Sequence, residues 1–323
     1  LAFANAVPTG NIGIVSASGT GLQEVSVCIA QYGCGVSQAF GTGGRDGKAE
    51  IGGLMLLSCL DYLAEDPQTK VIVLIAKPPA EPVLIKLWAR IAATSKPVIV
   101  NFMVPLAAPQ LANMQYTTSL DKAALLACKA SGASIPADAA DDVAPFAIES
   151  NRKYIRGLYS GGTLCQEAVQ FYKKNFGILP YSNVGDDDRF KMADAWKSME
   201  DCFIDMGSDD YTVGRPHPMI DYSLRLKKIT EEALDPEVAI IILDVVLGYG
   251  ANSDPAAELV PVLNSLPPNL GVVCHVLGTK DDPQNSELQR EKIASTGARV
   301  FHNHHQALSF AFQQLMACRS EQS

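Results

Sequence analysis

One segment near the start of the chain returns in its second half, and no other sequence feature limits the possible folds as much. Residues 11–33 read NIGIVSASGTGLQEVSVCIAQYG, and residues 155–177 read IRGLYSGGTLCQEAVQFYKKNFG. With a gap of one residue, the aligned pairs are Gly13 and Gly157, Ser16 and Ser160, Gly19 and Gly162, and Glu24 and Glu167. Each copy passes from an apolar run through a Ser/Gly/Thr turn into a helical period, which predicts strand, turn and helix. The chain is therefore expected to hold two copies of one domain.

Later apolar runs repeat in the same order. The Asp-Pro pairs at 66–67 and 235–236 each stop a helix and precede a buried run, at 71–76 and 238–243. The other predicted elements are strands at 98–104 and 272–277 and helices at 120–129 and 306–317. Runs of Val and Ile that alternate with helical patterns predict parallel strands covered on both faces. We therefore expect an α/β protein with two flavodoxin-like, doubly wound parallel-sheet domains.

The domain boundary is predicted from a change in composition. Residues 130–151 are rich in Ala, Asp, Ser and Pro and have no hydrophobic period, which is typical of a linker. The expected domains are 1–145 and 146–323.

Composition excludes several functional classes. A net charge of −9 argues against a nucleic-acid-binding surface, which needs clustered Lys and Arg. No apolar run approaches about 18 residues, so no membrane span is predicted, and no secretory signal is visible. The eight cysteines are scattered without CxxC spacing, which favours buried thiols in a reducing, cytoplasmic compartment and no metal site. Because the first residue is Leu, the natural chain is expected to extend upstream.

The two Ser/Gly/Thr turns are the first candidate site. A helix N-terminus presents unpaired amides and a partial positive charge, and glycine lets an anion approach the backbone. In open parallel sheets, ligands bind beyond the carboxyl ends of the strands. The predicted phosphate-binding residues are Ser16, Ser18, Gly19 and Thr20 in the first turn and Ser160, Gly161, Gly162 and Thr163 in the second. Simple helix capping is the alternative, and neither turn is a P-loop, because neither ends in GK[ST].

A second pair of loops combines glycine, arginine and a carboxylate. Residues 41–46 and 214–221 both contain Gly-Arg followed by Asp, and Arg forms paired bonds with phosphate or carboxylate. The predicted substrate-binding residues are Gly43, Gly44, Arg45, Asp46, Gly214, Arg215, Asp221 and Gly248.

Two residues of the second half are catalytic candidates. His217 is held between two prolines and could carry a proton, and Asp244 is expected to point into the crevice at the end of a long apolar run. A structural role for His217 and a cap on a neighbouring loop for Asp244 are the alternatives. His275 is predicted as a hydrogen-bonded core or strand-end residue. The histidines within 302–305 are predicted in surface or capping roles, with Asn303 as an N-cap.

The order of these motifs resembles a known family. The first half resembles the ligase domain of the succinyl-CoA synthetase α subunit. The second half, with FIDMG at 203–207 and GTK at 278–280, resembles the β-subunit ligase domain. The motifs RGLYSGGTLCQEA, GRPHPMID, LDVVLGYG and GTKDDPQ more specifically resemble the FdrA proteins, which fuse the two domains. The resemblance spans residues 10–315. It implies an upstream CoA-binding-like domain, through which alone a role for CoA is implied.

The chain departs from the synthetase pattern at catalytic positions. The family's phosphorylated His follows the KPV strand, but residues 98–109 contain no His, and none precedes His217. Lys77 stands where the family has Glu, and as a third catalytic candidate it would favour an anionic substrate. The resemblance therefore implies an anion site without a phosphohistidine. In this anion site, the resemblance implies that the two Ser/Gly/Thr turns would face each other and hold one phosphate or acyl phosphate.

The expected function follows from this resemblance. FdrA-like proteins are linked to oxamate carbamoyltransferase, so phosphorolytic carbamoyl transfer is implied, with phosphate as co-substrate and no firmly predicted cofactor. Lys77, Arg45 and Arg215 would bind phosphate or small carboxylates. Other subunits of a multi-protein enzyme are the expected partners, with a homodimer as a further expectation. Two alternatives stay open: an ATP-dependent acyl-CoA synthetase with His217 as a relocated nucleophile, and a non-catalytic metabolite-binding subunit.

Overall fold

The computed structural model describes residues 3–135, 143–149, 151–185 and 187–320. The chain divides into two compact units, Leu1–Ala139 and Ala140–Ser323. The boundary at residue 145 stays a prediction, and the acidic stretch of the predicted linker, 138–142, lies outside the described residues. No helix in the described ranges is long and apolar enough to cross a membrane.

The first unit is a five-stranded parallel sheet with the strand order β2-β1-β3-β4-β5. Its elements are β1 (Thr9–Ser16), α1 (Gly19–Gln31), β2 (Val36–Gly41), α2 (Leu54–Glu65), β3 (Val71–Ile75), α3 (Glu81–Ala93), β4 (Val98–Asn101), β5 (Met114–Thr117) and α4 (Leu120–Ala130). Helix α1 packs against α4, and α2 packs against α3. Every residue of β3 is buried, because this strand lies between two others and under helices on both faces.

The second unit repeats this topology and adds one strand. Its elements are β6 (Tyr154–Tyr159), α5 (Gly162–Phe176), β7 (Tyr181–Ser182), β8 (Cys202–Asp205), α6 (Asp209–Thr212), α7 (Ser223–Ala233), β9 (Val238–Val246), α8 (Pro255–Leu263), β10 (Gly271–Leu277), α9 (Ser286–Ala294), β11 (Arg299–Phe301) and α10 (His304–Ser320). The sheet order is β11-β10-β9-β6-β8-β7, again parallel. Without the outer strand β7, this is the order of the first unit. The prediction of two doubly wound flavodoxin-like domains is therefore confirmed.

The two copies of the repeat align in the structure without the predicted gap. Strand β1 ends at Ser16 and β6 at Tyr159, and each is followed by two residues before its helix begins. Ser16 therefore corresponds to Tyr159, and the N-cap Ser18 corresponds to the N-cap Gly161.

The two aligned glycines of the repeat confirm this correction, because they face opposite sides of their sheets. A Cβ on Gly13 would lie 2.7 Å from Cδ2 of Leu63 on α2. A Cβ on Gly157 would instead lie 2.3 Å from Cδ1 of Phe203, whose ring packs against Phe312 of α10. Because side chains alternate along a strand, residues on opposite faces cannot be equivalent.

The second unit contains an insertion, residues 177–201, between α5 and β8. A buried charge network holds it against α7. The Glu232 carboxylate accepts hydrogen bonds from Nε of Arg156 at 2.8 Å and from Nζ of Lys228 at 2.6 Å. Lys228 also donates to the carbonyl oxygen of Trp196 in the insertion, at 2.7 Å. The insertion is thus fixed through side chains that lie beneath it.

Candidate functional site

In the first unit, the residues at the carboxyl ends of the five strands lie side by side and pair with one another. We call these residues the first terminal row. Its members, in sheet order, are Gly41, Ser16, Ile75, Asn101 and Thr117. None carries a charge. The turn into α1 leaves this row at Ser16.

The hydroxyl groups of the first turn are used within the turn itself. Oγ of Ser16 donates to the carbonyl oxygen of Ser18 at 2.7 Å and accepts from the Ser18 amide at 3.1 Å. Oγ of Ser18 accepts from the Gly21 amide at 2.9 Å, as an N-cap does. In the described chain, the amides of Gly19 and Thr20 donate to no other group. These two amides, and not the serine hydroxyls, are the turn's available donors.

Other predicted residues surround this turn. Thr42 donates its amide to the Ser16 carbonyl oxygen at 2.8 Å, and no described group bonds its buried Oγ1. Lys77 follows β3, two residues beyond Ile75, and is exposed. Arg45 is also exposed, in the loop after β2, and space is open around Gly43 and Gly44. This edge of the sheet therefore combines hydrogen-bond donors with two exposed cations.

Asp46 has a different role from the predicted substrate contact. Its carboxylate is buried, and Oδ1 and Oδ2 each accept a backbone amide at 2.9 Å, from Met55 and Leu56 in the first turn of α2. The residue caps α2, because the preceding Gly53 has no side chain that could do so. Both carboxylate oxygens of Asp46 are therefore used within the protein.

The second unit has a terminal row of very different character. Its members are Asp205, Tyr159, Asp244, His275 and Phe301, where Tyr159 and Asp244 follow the paired residues Leu158 and Leu243 in register. Two carboxylates thus occupy the places that Gly41 and Ile75 have in the first unit.

Asp244 fills the second turn. Its Oδ1 accepts from the Ser160 amide at 2.7 Å and the Ser160 hydroxyl at 3.0 Å, and Oδ2 accepts from the Gly161 amide at 2.9 Å. Nη2 of Arg225, fully buried on α7, donates to Oδ1 at 2.9 Å. The expectation that Asp244 points into an open crevice is corrected: it is fully buried and caps the neighbouring loop, the alternative reading. The amides of Ser160 and Gly161 consequently hold the protein's own carboxylate.

Asp205, which sequence reasoning did not select, lies against the rest of this turn. Its Oδ2 lies 2.6 Å from the position that a Cβ on Gly162 would take, and its Oδ1 accepts the Gly207 amide at 2.8 Å. Thr163 follows in the first turn of α5. The signal was available in FIDMG, where a carboxylate ends an apolar run and glycine follows within two residues.

His217 lies next to Asp205. Its Nε2 and Oδ1 of Asp205 are 2.8 and 3.1 Å from the position of a Cβ on Gly207. Nδ1 accepts the Met219 amide at 3.3 Å, so neutral His217 carries its proton on Nε2. Burial lowers the pKa of His217, while Asp244 opposes and Arg225 adds to the shift. The imidazole is therefore neutral near pH 7 and presents an N–H toward Gly207.

The remaining predicted residues of the second unit lie in loops. Arg215 is exposed, with its guanidinium 5.4 Å from the ring centre of Trp196. Asp221 is exposed, and hydrogen bonds from Ser223 lower its pKa. The positive φ of 74° at Gly214 favours glycine there. Gly248 is buried, and its amide donates to Oε1 of Gln284 at 3.0 Å.

The histidines divide into exposed and buried groups. His302 and His305 are exposed and Asn303 caps α10 by accepting the Gln306 amide at 2.8 Å, as predicted. His304 is a correction, because it is buried. Its Nδ1 lies 2.7 Å from Oε2 of Glu167 and its Nε2 lies 3.1 Å from the Tyr159 hydroxyl. His275 lies in the buried strand β10, which confirms its predicted place in the core. The predicted hydrogen bond of its ring stays a prediction.

Two family models match the chain and between them cover most of both units. Residues 9–137 match the succinyl-CoA ligase like flavodoxin domain, and residues 158–313 match the CoA-ligase domain. A curated relative, the uncharacterized protein YahF of Escherichia coli (strain K12), is 41% identical over 313 residues. That alignment covers 92% of this chain, and the chain spans 60% of the length of the relative.

Two solved structures match the chain at low similarity. One is the apo dinucleotide-forming acetyl-coenzyme A synthetase 1 of Ca. Korarchaeum cryptofilum, with 14% identity, a TM-score of 0.37, and coverage of 98% of this chain and 67% of that chain. The other is the ATP citrate lyase of Methanothrix soehngenii with citrate and coenzyme A, with 11% identity, a TM-score of 0.34, and coverage of 99% and 52%. Because these scores are low, the assignment rests on the domain matches. By its two domains, the chain fits the succinyl-CoA synthetase-like superfamily.

Proposed function

We propose that the chain is an acyl-transfer enzyme or enzyme subunit that binds phosphate or an acyl phosphate at the first turn of α1. The observation that most directly supports this proposal is the contrast between the two turns. In the second unit the Asp244 carboxylate bonds the amides of Ser160 and Gly161. The matching amides of the first unit, those of Ala17 and Ser18, are bonded by the Ile75 carbonyl oxygen and the Ser16 hydroxyl, so they use no carboxylate. An anion at the first turn would meet the amides of Gly19 and Thr20 and no carboxylate of the first terminal row.

The surrounding side chains support an anionic ligand. Lys77 and Arg45 are exposed cations on loops that leave the same edge of the sheet. Thr42 adds a hydroxyl that has no partner in the described chain. Long flexible cations contribute charge, while the fixed amides supply direction, which is the division of roles expected at a phosphate site.

The chemistry that suits this unit is direct transfer. The first unit contains no His, since the first in the chain is His217, so a phosphohistidine cannot form there. In direct phosphorolysis, an oxygen of phosphate attacks the acyl carbon, and the bond from that carbon to its leaving group breaks. With oxalurate as donor, the products are carbamoyl phosphate and oxamate, the latter after its nitrogen takes a proton. We propose this carbamoyl transfer, in the cytoplasm and with partner subunits, as the specific reaction.

A pair of variants of Gly19 tests the phosphate site. Gly19 is the first residue of α1, where Pro fits the helix and removes only an amide hydrogen. Ser18 is already extended, as a residue before Pro requires. Isothermal titration with inorganic phosphate should show Gly19→Ala binding like the wild type and Gly19→Pro at least about tenfold more weakly. Equal affinity of the two variants, or no phosphate binding by the wild type, would reject the site.

His217 supports a second candidate, an ATP-dependent acyl-CoA synthetase with a relocated nucleophile. Its half-buried ring is neutral near pH 7, because burial lowers its pKa. ATP labelled with ³²P at the γ position distinguishes the two: acid-labile label on the wild type and none on His217→Ala would favour the synthetase. Carbamoyl phosphate formed from oxalurate and phosphate by the chain with its partner subunits, without labelling, would favour direct transfer.

A further inference from the structure

Asn101 is a buried amide whose donor group is unused. It is the last residue of β4 and is fully buried. Its Oδ1 accepts the Met103 amide at 3.1 Å, but no described group accepts from Nδ2. A buried donor without an acceptor destabilises a fold, and such groups are rare unless they serve another purpose.

The position of Asn101 directs this donor toward the α1 side of the sheet. Asn101 pairs with Ile75, and Ile75 pairs with Ser16, so the three side chains lie on one face. Cγ2 of Ile75 lies 3.1 Å from where a Cβ on Gly21, in the first turn of α1, would be. Asn101 is thus one strand beyond the residue that contacts α1. Two strand spacings, about 10 Å, separate it from Ser16.

The second terminal row has no amide side chain at the matching position. His275 takes the place of Asn101 in the second terminal row, where its neighbour is the carboxylate of Asp244. The unused donor therefore occurs in the unit whose terminal row has no carboxylate, whereas the second terminal row has Asp244 beside His275.

We infer that Asn101 is a specificity-determining residue, whose Nδ2 donates to a carboxylate or carbonyl oxygen at the far end of the acyl substrate. This inference rests on the proposed function, because the phosphate end of the reacting pair would lie at the first turn of α1. The separation of about two strands excludes a compact ligand from reaching both groups at once. The substrate class is therefore an acyl donor that carries a second oxygen acceptor, such as an acid with a free carboxylate beyond its reacting carbonyl.

Because Nδ2 is buried, a ligand that bonds it would have to enter beneath the segment that follows β4. This segment begins at Met103, which has a φ of 60°, in the left-handed region, and it continues through exposed residues at 105 and 107. Asn101 itself holds Met103 through Oδ1. A ligand that bonds Nδ2 thus contacts the residue that anchors the segment.

Stable two-ended probes test the inference on the full chain. The affinity for inorganic phosphate reports binding at the α1 turn alone. The affinity for 4-phosphonobutyrate reports binding at the turn together with binding of a distal carboxylate. The wild type should bind 4-phosphonobutyrate more tightly than phosphate. Asn101→Leu should weaken 4-phosphonobutyrate by about tenfold and change phosphate affinity by less than about twofold.

Two further variants distinguish a loss of binding from a folding defect. Asn101→Asp keeps the acceptor for Met103 and replaces the donor with a negative charge, so it should weaken 4-phosphonobutyrate at least as much. Thr117→Val changes a neighbour in the same row, whose Oγ1 already accepts the Ser119 amide at 3.2 Å, and should leave the ratio of the two affinities unchanged. An unchanged ratio in both Asn101 variants, or a wild type that binds the two probes equally, would overturn the inference while the phosphate site stands. A wild type that binds neither probe would overturn both.

Discussion

Arg225 and Asp244 form an ion pair inside the second unit, with Nη2 of the guanidinium 2.9 Å from Oδ1 of the carboxylate and both side chains 0% exposed. The same guanidinium nitrogen donates to the Asp244 carbonyl oxygen at 2.6 Å. Because Asp244 also caps the turn before α5, one carboxylate joins α7, β9 and the start of α5. The pair therefore fixes the end of the sheet at which the second turn lies.

We expect Asp244→Asn to destabilise the second unit strongly. The change keeps the side-chain shape but leaves the Arg225 charge buried without a carboxylate, which costs about 3–5 kcal/mol in proteins. The free energy of unfolding in urea measures this effect. Glu237→Gln is the control, because the ion pair of Glu237 with Lys153 is exposed and its loss should change the free energy of unfolding far less. Equal losses in the two variants would contradict the prediction.

Two neighbouring glutamates of α7 should differ in their contribution to stability. Glu232 is buried between Arg156 and Lys228, whereas Glu231 is exposed and pairs with Lys227 at 3.7 Å. Glu232→Gln leaves two buried cations with one fewer anion, so we expect a loss of about 3 kcal/mol or more. Glu231→Gln should cost about 0.5 kcal/mol. Limited proteolysis of the insertion, residues 177–201, would show whether its attachment loosens only in Glu232→Gln.

The lowered pKa of His217 predicts a pH-dependent stability. The unfolded chain has the ordinary histidine pKa near 6.5, so between that pH and the lower folded pKa it binds more protons than the folded chain. The contribution of neutral His217 is then complete above about pH 6.5 and is lost as the pH falls below it. The difference in unfolding free energy between wild type and His217→Asn, measured from pH 8 to 5, should decrease over this range. An increase toward acid would mean that the folded pKa is raised.

Gly157 and Gly19 should respond oppositely to alanine. A Cβ on Gly157 would lie 2.3 Å from Cδ1 of Phe203, so Gly157→Ala forces the packed ring to move and should cost about 1–3 kcal/mol. Nothing lies within 4 Å of the equivalent point on Gly19, and Gly19→Ala should be neutral or slightly stabilising. Thermal unfolding of the two variants compares them directly, and equal melting temperatures would contradict the packing argument.

The fold could be predicted because its signals are local and repeated. The Asp-Pro pairs, the apolar runs and the two Ser/Gly/Thr turns each act within a few residues, and the order of elements then determines a parallel sheet. Strand ends were less predictable: the run at 98–104 ends as a strand at Asn101, where the side chain bonds the Met103 amide. The predicted gap in the repeat is wrong, because the identical glycines Gly13 and Gly157 lie on opposite faces of their sheets.

The candidate site was less predictable, because its decisive contacts join distant positions. Asp244 is 84 residues from Ser160, and His304 is 137 residues from Glu167. A sequence pattern identifies a turn that can bind an anion, but it does not show which carboxylate already bonds its amides. The polar residues Asp205 and Asn101 were missed for the same reason, since their roles depend on the strands beside them.

The edges of the second sheet are unusually short, since β7 has two residues and β11 has three. So few main-chain groups give an incoming strand little to pair with, which is how many natural sheets avoid aggregation. Any assembly of this unit with another subunit would consequently use its helices or loops, leaving the hydrogen-bonded ladder confined to a single chain.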